Sequence, residues 1–150
     1  MTTPDSDWKA HLVDDDAGIR RLLDATRVIA VLGIKTADSG QPAYYVPQYA
    51  QRAGYRVVPV PVYYPDVSEI LGEPVYRTVA AVPGTVDMVN VFRRPRDVEA
   101  HVDDILAKQP KSVWLQQGIR NAAAAERLAR AGIDVVQDRC LLVELRNVGK

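Results

Sequence analysis

The sequence lacks three features that would each place it in a specialised class of protein. It has one cysteine, Cys140, among 150 residues, which excludes an intramolecular disulfide and a cysteine-rich metal site. Its 19 basic and 19 acidic residues cancel, so it has no basic excess of the kind that typifies general nucleic-acid binders. No apolar run approaches the roughly 20 residues of a membrane-spanning helix. These absences favour a protein of the reducing cytoplasm without a nucleic-acid or membrane partner.

What is present is the composition of an ordinary globular domain. Hydrophobic residues make up 47% of the chain and charged residues 25%, and 150 residues suit one domain. The first residues are polar and acidic, unlike a signal peptide. We therefore expect a flexible N-terminal tail over residues 1–13 and a single folded domain over residues 14–150.

Apolar strand-like segments alternate with amphipathic helical segments along the whole domain. The expected strands cover residues 28–32, 55–60, 85–91, 111–115 and 133–136. The first expected helix follows Asp14, and the next two run over residues 43–53 and 95–108. The last two expected helices begin at the capping residues Asn121 and Asp138. Strands that alternate with helices form right-handed βαβ units. The sequence predicts an α/β, three-layer Rossmann-like fold with a mainly parallel five-stranded sheet.

The first strand, Val28–Leu32, stops abruptly at Gly33. A glycine there permits a tight turn or the close approach of a ligand. The spacing of the dinucleotide fingerprint is nevertheless absent after Gly33, and no acidic residue follows the second strand to bind the ribose of NAD. The phosphate-loop pattern of ATPases is also missing. These absences argue against NAD and ATP hydrolysis, and leave a ligand with phosphate groups and an adenine-like ring.

Residues after the predicted strands are candidates to bind such a ligand, because ligands of open α/β sheets bind beyond the carboxyl ends of the strands. Lys35 and Thr36 offer a cation and a hydroxyl group. The helix that begins near Pro42 offers an anion site at its N-terminus. Four tyrosines surround the expected site and could stack on adenine, bind phosphate or pack in the core: Tyr44, Tyr45, Tyr63 and Tyr64.

Several segments together resemble one protein family. They are residues 54–60, 70–76, 86–93, 113–121 and 138–144, of which the stretch from Trp114 to Asn121 followed by Asp-Arg-Cys is the most specific. In this order they resemble the small, single-domain bacterial CoA-binding proteins, which are similar to the N-terminal CoA-binding domain of the succinyl-CoA synthetase α subunit. The resemblance covers about residues 14–146. It implies a Rossmann-like fold with coenzyme A or an acyl-CoA as ligand, and it implies no catalytic activity.

The resemblance also implies where the ligand lies. The phosphates would rest against the loop opened by Gly33 and the adenine near the end of the second strand, with the ends of the third and fourth strands completing the cleft. The candidate cofactor-binding residues are Gly33, Ile34, Lys35, Thr36, Gln41, Pro42, Tyr45, Val60, Pro61, Val62, Phe92, Arg93, Arg94, Gln116, Gly118 and Arg120.

The phosphate loop and the end of the second strand depart from the family pattern. Family members commonly carry an arginine near the end of the loop and Asn-Pro after the second strand. This chain has Lys35 in a longer loop, and Pro61-Val62 in place of Asn-Pro. We hypothesise that Lys35 replaces the missing arginine.

The side chains that could support chemistry are few. Cys140 could be a reactive thiol, but burial as a small apolar group is the more common state of a free cysteine. His11 lies in the expected tail, and His101 is expected on the exposed side of a helix. Neither has a nucleophile or metal-ligand partner by spacing. The leading prediction is therefore CoA binding without catalysis, and the alternatives are an enzyme acting on a CoA thioester through Cys140 or a CoA-responsive regulatory protein with an unknown partner.

Overall fold

The computed structural model describes residues 7–150. Within this range the strands are β1 Val28–Leu32, β2 Arg56–Val60, β3 Glu69–Ile70, β4 Glu73–Pro74, β5 Met88–Val91, β6 Ser112–Leu115 and β7 Asp134–Val136. The α-helices of the described residues are α1 Asp16–Asp24, α2 Pro42–Arg52, α3 Val102–Lys108, α4 Ala122–Arg130 and α5 Leu141–Asn147.

Five of the strands form one parallel sheet in the order β2-β1-β5-β6-β7. The short antiparallel pair β3–β4 lies in the connection between β2 and β5. Strand order reverses between β1 and β5, because the chain moves outward from β1 to β2 and then crosses back. This arrangement confirms the predicted α/β three-layer Rossmann-like fold, and such a reversal is where ligands bind in open α/β sheets.

Alternating strand residues divide the core into two layers, because successive side chains of a strand point to opposite faces. On one face, Ile29 and Val31 pack with the apolar sides of α1, α2 and α5. On the other, Ala30 and Leu32 pack with α3, α4 and the segment that contains Val79. Since both faces are covered, the β1 run is continuously apolar, as expected of a parallel strand.

Part of the expected N-terminal tail is ordered. Residues 1–6 lie outside the described residues, but Trp8–His11 form a 3-10 turn beside α4. Leu12 forms a parallel bridge to Val135, and the side chain of His11 is 2.8 Å from Asp134. This segment therefore covers the outer edge of β7, which is an edge strand of the sheet.

The expected helix over 95–108 is interrupted. The chain forms 3-10 turns at Pro95–Asp97 and Glu99–His101 before α3 begins at Val102. The carbonyl of Pro95 accepts a hydrogen bond of 2.9 Å from the side chain of Asn121, which anchors this turn to the start of α4. Asn121 also caps α4, as predicted, by accepting from the Ala124 N–H.

A buried carboxylate, Asp87, lies directly before β5. The Asp87 side chain accepts hydrogen bonds from the backbone N–H groups of Arg27 and Val28 at 3.0 and 2.9 Å. Burial opposes its ionisation, but these two donors and the nearby ammonium of Lys111 outweigh burial and hold the pKa of Asp87 below its usual value. Asp87 thus ties together the amino ends of the sheet, on the side away from the predicted site.

Candidate functional site

A cleft of about 520 Å³ lies at the carboxyl ends of β1, β5 and β6. Its size is within the usual range of small-molecule sites. The lining carries three cations, Lys35, Arg93 and Arg94, and no carboxylate from the described part of the chain. The other lining residues are Gln41, Pro42, Ala43, Tyr63, Phe92, Pro95, Gln116, Gln117 and Ile119. The lining is therefore suited to an anion with an apolar portion.

Gly33 turns the chain from β1 into the cleft loop. Its φ is +86°, and a Cβ built on it would lie 2.2 Å from the carbonyl oxygen of Phe92. Its N–H donates to the carbonyl of Val60 at 2.9 Å. The positive φ and the nearby Phe92 carbonyl thus both require a glycine at this position. Gly33 itself does not line the cleft.

A proline inside α2 fixes the loop that follows Gly33. Pro47 was expected in the first turn of this helix, but it is the sixth helical residue because α2 begins at Pro42. A proline has no N–H, so the carbonyl of Ala43, four residues earlier, lacks its helical donor. The N–H of Lys35 takes that place and donates to Ala43 over 3.1 Å. This bond docks the loop against the N-terminus of α2.

Two polar side chains of this loop, those of Lys35 and Thr36, differ in their hydrogen-bond partners and in whether they line the cleft. The ammonium of Lys35 donates to the side-chain oxygen of Gln41 over 2.6 Å, and both residues line the cleft. The hydroxyl of Thr36 donates instead to the carboxylate of Asp38, and Thr36 lies outside the cleft lining. Lys35 is therefore the cation that the loop presents to the cleft.

Arg93 and Arg94 follow β5 and differ in how firmly they are held. The side chain of Arg93 is only 16% exposed, and its guanidinium carbon is 5.9 Å from the centre of the Tyr63 ring. The side chain of Arg94 is 64% exposed and donates to Asp97 over 2.8 Å. The hydrogen bond from Arg94 holds the pKa of Asp97 below its usual value. Arg93 forms part of the buried wall, whereas Arg94 lies exposed at the entrance and pairs with Asp97.

His101 lies behind Arg93 and was wrongly expected on an exposed helix side. It is half-buried, and its Nε2 atom accepts a hydrogen bond of 3.2 Å from Nε of Arg93. Burial lowers the pKa of His101, and the positive charge of Arg93 lowers it further.

The end of β2 contributes one aromatic side chain to the cleft. The side chains of Val60 and Pro61 are buried, and Val62 is exposed outside the cleft lining. Tyr63 does line the cleft and is 59% exposed. Its loop is fixed by the guanidinium of Arg77, which donates to the carbonyls of residues 63, 64, 65 and 67 at 2.7–3.3 Å.

The loop after β6 is clamped by Asp138. The carboxylate of Asp138 accepts from the N–H of Gly118 at 2.7 Å and lies 3.4 Å from Nε of Arg120. The Gly118 hydrogen bond, with help from Arg120, lowers the pKa of Asp138. Asp138 was expected to cap the last helix. That position is held by Cys140, whose side chain makes no cap hydrogen bond.

Gln116 connects the cleft to the last helix. Its side chain is almost fully buried, and the side-chain oxygen Oε1 accepts a hydrogen bond of 3.2 Å from the Leu141 N–H. Asn90 lies beside it, with Nδ2 at 3.5 Å from that same oxygen. Cys140 is half-buried against the core cluster of α5 and does not line the cleft, so its position does not favour a role as a nucleophile there.

The cleft brings together seven of the candidate residues: Lys35, Gln41, Pro42, Phe92, Arg93, Arg94 and Gln116. Nine candidates lie outside its lining: Gly33, Ile34, Thr36, Tyr45, Val60, Pro61, Val62, Gly118 and Arg120. Of these, Ile34 and Val60 point into the core. The candidate list omitted Ala43, Tyr63, Pro95, Gln117 and Ile119, although Tyr63 and Gln117 stand directly beside residues that were chosen. The signal that could have found Ala43 is the start of α2 at the Gln41-Pro42 pair.

Residues 7–150 offer neither a cluster of metal ligands nor a membrane-spanning helix. Within this range no three His, Cys, Asp or Glu side chains are grouped closely enough to hold a metal ion. No helix of the same residues is both long and apolar enough to cross a bilayer.

Comparison with known proteins identifies the family of the chain. Residues 27–146 match a family model described as a CoA binding domain. The uncharacterized protein YneT of Bacillus subtilis is 31% identical over 127 residues, which are 85% of this chain and 91% of the relative.

Two solved structures share the fold over nearly the whole chain. A Thermus thermophilus protein is 39% identical with a TM-score of 0.82, covering 90% of this chain and 99% of that one. A hypothetical protein of Pyrococcus horikoshii is 29% identical with a TM-score of 0.82, covering 90% and 92%. The family expected from the sequence is therefore confirmed: the chain belongs to the CoA-binding domain family.

Proposed function

We propose that this protein binds coenzyme A or an acyl-CoA in the cleft at the carboxyl ends of β1, β5 and β6, and that it does so without catalysing a reaction. The observation that carries the proposal is the lining: three cations and no carboxylate among the described residues, in a chain that belongs to a CoA-binding family. CoA carries a diphosphate and a ribose phosphate, so its binding demands several cations.

The division of roles follows from geometry and charge. Lys35 and Arg94 meet phosphate oxygens at the entrance, where each is held by a single side-chain partner, Gln41 or Asp97. The N-terminus of α2 adds the positive end of the helix dipole. Arg93 donates from the wall, and Arg is suited to phosphate because its planar fork forms two parallel hydrogen bonds. Tyr63 offers a face on which a purine can stack.

Calorimetric titration with four ligands tests this proposal: CoA, acetyl-CoA, ATP and NAD. We expect CoA or acetyl-CoA to bind more tightly than ATP and NAD, because the cleft lacks the acidic ribose ligand and glycine pattern that NAD sites use. Tighter binding of ATP or NAD than of CoA would reject the proposal. Analysis of acetyl-CoA after prolonged incubation with the protein tests the second part, and release of free thiol above the protein-free rate would reject it.

A matched pair of variants tests the part played by the cleft cations. Arg94→Ala removes an entrance cation, whereas Arg52→Ala removes an exposed arginine at the opposite end of α2. A hydrogen bond to a charged group contributes about 1.5–3 kcal/mol, so Arg94→Ala should weaken CoA binding by about tenfold to a hundredfold. Arg52→Ala should leave the affinity within about twofold. Equal effects of the two substitutions would show that the charge acts only at long range.

A further inference from the structure

The guanidinium of Arg93 is held from three directions. Its Nε donates to Nε2 of His101 over 3.2 Å, and its carbon is 5.9 Å from the ring centre of Tyr63. One terminal nitrogen is 3.8 Å from the carboxylate of Asp97. Packing at Gly33 completes the fit, since a Cβ there would be 3.4 Å from Cδ of Arg93. With Nε already committed, the terminal nitrogens are the donors that remain for a phosphate.

The hydrogen bond defines the protonation state of His101. Nε of an arginine always carries a hydrogen, so Nε2 of His101 must act as the acceptor and carry none. The ring is then the neutral form with its hydrogen on Nδ1. His101 is half-buried at the end of the turn Glu99–His101 and does not itself line the cleft. The hydrogen bond to Arg93 therefore links His101 to the lining of the cleft.

We propose that His101 is a positioning residue that, as a neutral acceptor, fixes the Arg93 guanidinium toward phosphate in the cleft and releases it when protonated. This inference rests on the proposed function, since it concerns how the same cleft holds CoA. A protonated imidazole has two N–H donors and no acceptor, so it cannot receive the Arg93 hydrogen bond. It also places a second positive charge against the guanidinium. CoA binding should consequently weaken in acid.

The charged neighbours of His101 affect the pH at which its ring is protonated. Burial and the guanidinium of Arg93 lower the pKa of His101 from the ordinary value of 6.5, whereas the carboxylates of Asp104 and Asp97 oppose that shift. The pKa of Asp97 is itself lowered, so this carboxylate stays ionised in the same range. Arg93 follows β5, Asp97 lies in the turn before His101, and Asp104 lies on α3. Because the pKa of His101 is lowered from 6.5, the ring is mostly neutral at pH 7 and gains its proton as the pH falls further.

Two substitutions separate the acceptor from the charge. His101→Gln keeps an uncharged side-chain oxygen that can accept from Arg93 at any pH. His101→Leu keeps apolar bulk without an acceptor. We would measure CoA dissociation constants for the wild-type protein and both variants by calorimetry between pH 8 and pH 5, with circular dichroism at each pH to verify folding. The ratio of wild type to His101→Gln cancels the titration of the CoA phosphomonoester, whose second pKa is near 6.

At pH 8, His101→Gln should bind CoA within about twofold of wild type, and His101→Leu should bind about threefold to tenfold more weakly, the range set by one neutral hydrogen bond. Between pH 8 and pH 5, the wild-type affinity should fall at least about threefold more than that of His101→Gln. The inference would be overturned, with CoA binding intact, if His101→Leu bound CoA at pH 8 as tightly as the wild-type protein does. It would also be overturned if the CoA affinities of the wild-type protein and His101→Gln changed in parallel with pH. Failure of the wild-type protein to bind CoA at any pH would overturn the proposed function and this inference together.

Discussion

The roles of some residues in this protein can be predicted from the sequence, whereas the roles of others cannot. The turn at Gly33 could be predicted, because a buried apolar strand that ends in glycine signals a backbone requirement. The contact that makes the glycine necessary, with the Phe92 carbonyl, could not be predicted, since it joins two strands that are distant in sequence. His101 was misplaced for the same reason: helical periodicity puts it outward, whereas the 3-10 turns put it behind Arg93.

The first prediction concerns Gly33. Gly33→Ala should destabilise the fold by about 2–5 kcal/mol, because a positive φ costs an alanine about 1–2 kcal/mol and the new Cβ would collide with the Phe92 carbonyl. Gly40→Ala is the control, since Gly40 has a φ of +62° with no atom within 4 Å of its Cβ position. Urea unfolding measures both free energies of unfolding. Equal losses in the two variants would disprove the proposed collision.

The second prediction concerns Asp87 and pH. The folded pKa of Asp87 is lowered, so its contribution to stability is complete above the ordinary value of 3.8 and is lost as pH falls through the folded pKa. Asp87→Asn should therefore destabilise the protein at pH 7 by about 1.5–3 kcal/mol, the contribution of hydrogen bonds to a charged group. The difference from wild type should shrink below pH 4. Urea unfolding at pH 7 and pH 3 checks this, and a difference that is constant with pH would contradict it.

At the scale of elements, the sequence predicts that a helix or strand is present more accurately than it predicts where that element begins and ends. The parallel strands and the cap at Asn121 were predictable from apolar runs and from a short polar side chain before an alanine-rich segment. The division of 95–108 into two 3-10 turns and α3 was not, because Val98 and Val102 keep a helical spacing across the turns. The role of Asp138 was also missed, since its partner Gly118 lies 20 residues earlier in another loop.

The third prediction concerns the bond between the cleft loop and α2. Pro47→Ala supplies an N–H that competes with Lys35 for the Ala43 carbonyl, so the Lys35 amide should exchange its hydrogen faster. The amide of Gly33, which donates to Val60, is the internal control and should keep its protection. Amide exchange followed by NMR measures both rates. Unchanged protection of Lys35 would show that its bond does not depend on the proline.

At the scale of the whole molecule, a formal net charge of zero does not exclude a cleft that is locally cationic. Three cations line the cleft at one end of the sheet, where no described carboxylate shares the lining. At the opposite end, Asp87 joins the amino ends of the strands. The family and fold class were predictable because they depend on patterns spread over the chain. The cleft lining was predictable only in part, because Tyr63 and Ile119 reach it through the loops fixed by Arg77 and Asp138.

The most direct measurement of the central claim is an NMR titration with CoA that follows backbone amides across the whole chain. CoA binding in the cleft predicts the largest shift changes at Lys35, Arg94 and Gln117, on the carboxyl edge of the sheet. The amides of Gly54 and Lys111, on the amino edge, should change little. Largest changes on the amino edge, or no changes at millimolar CoA, would contradict the account.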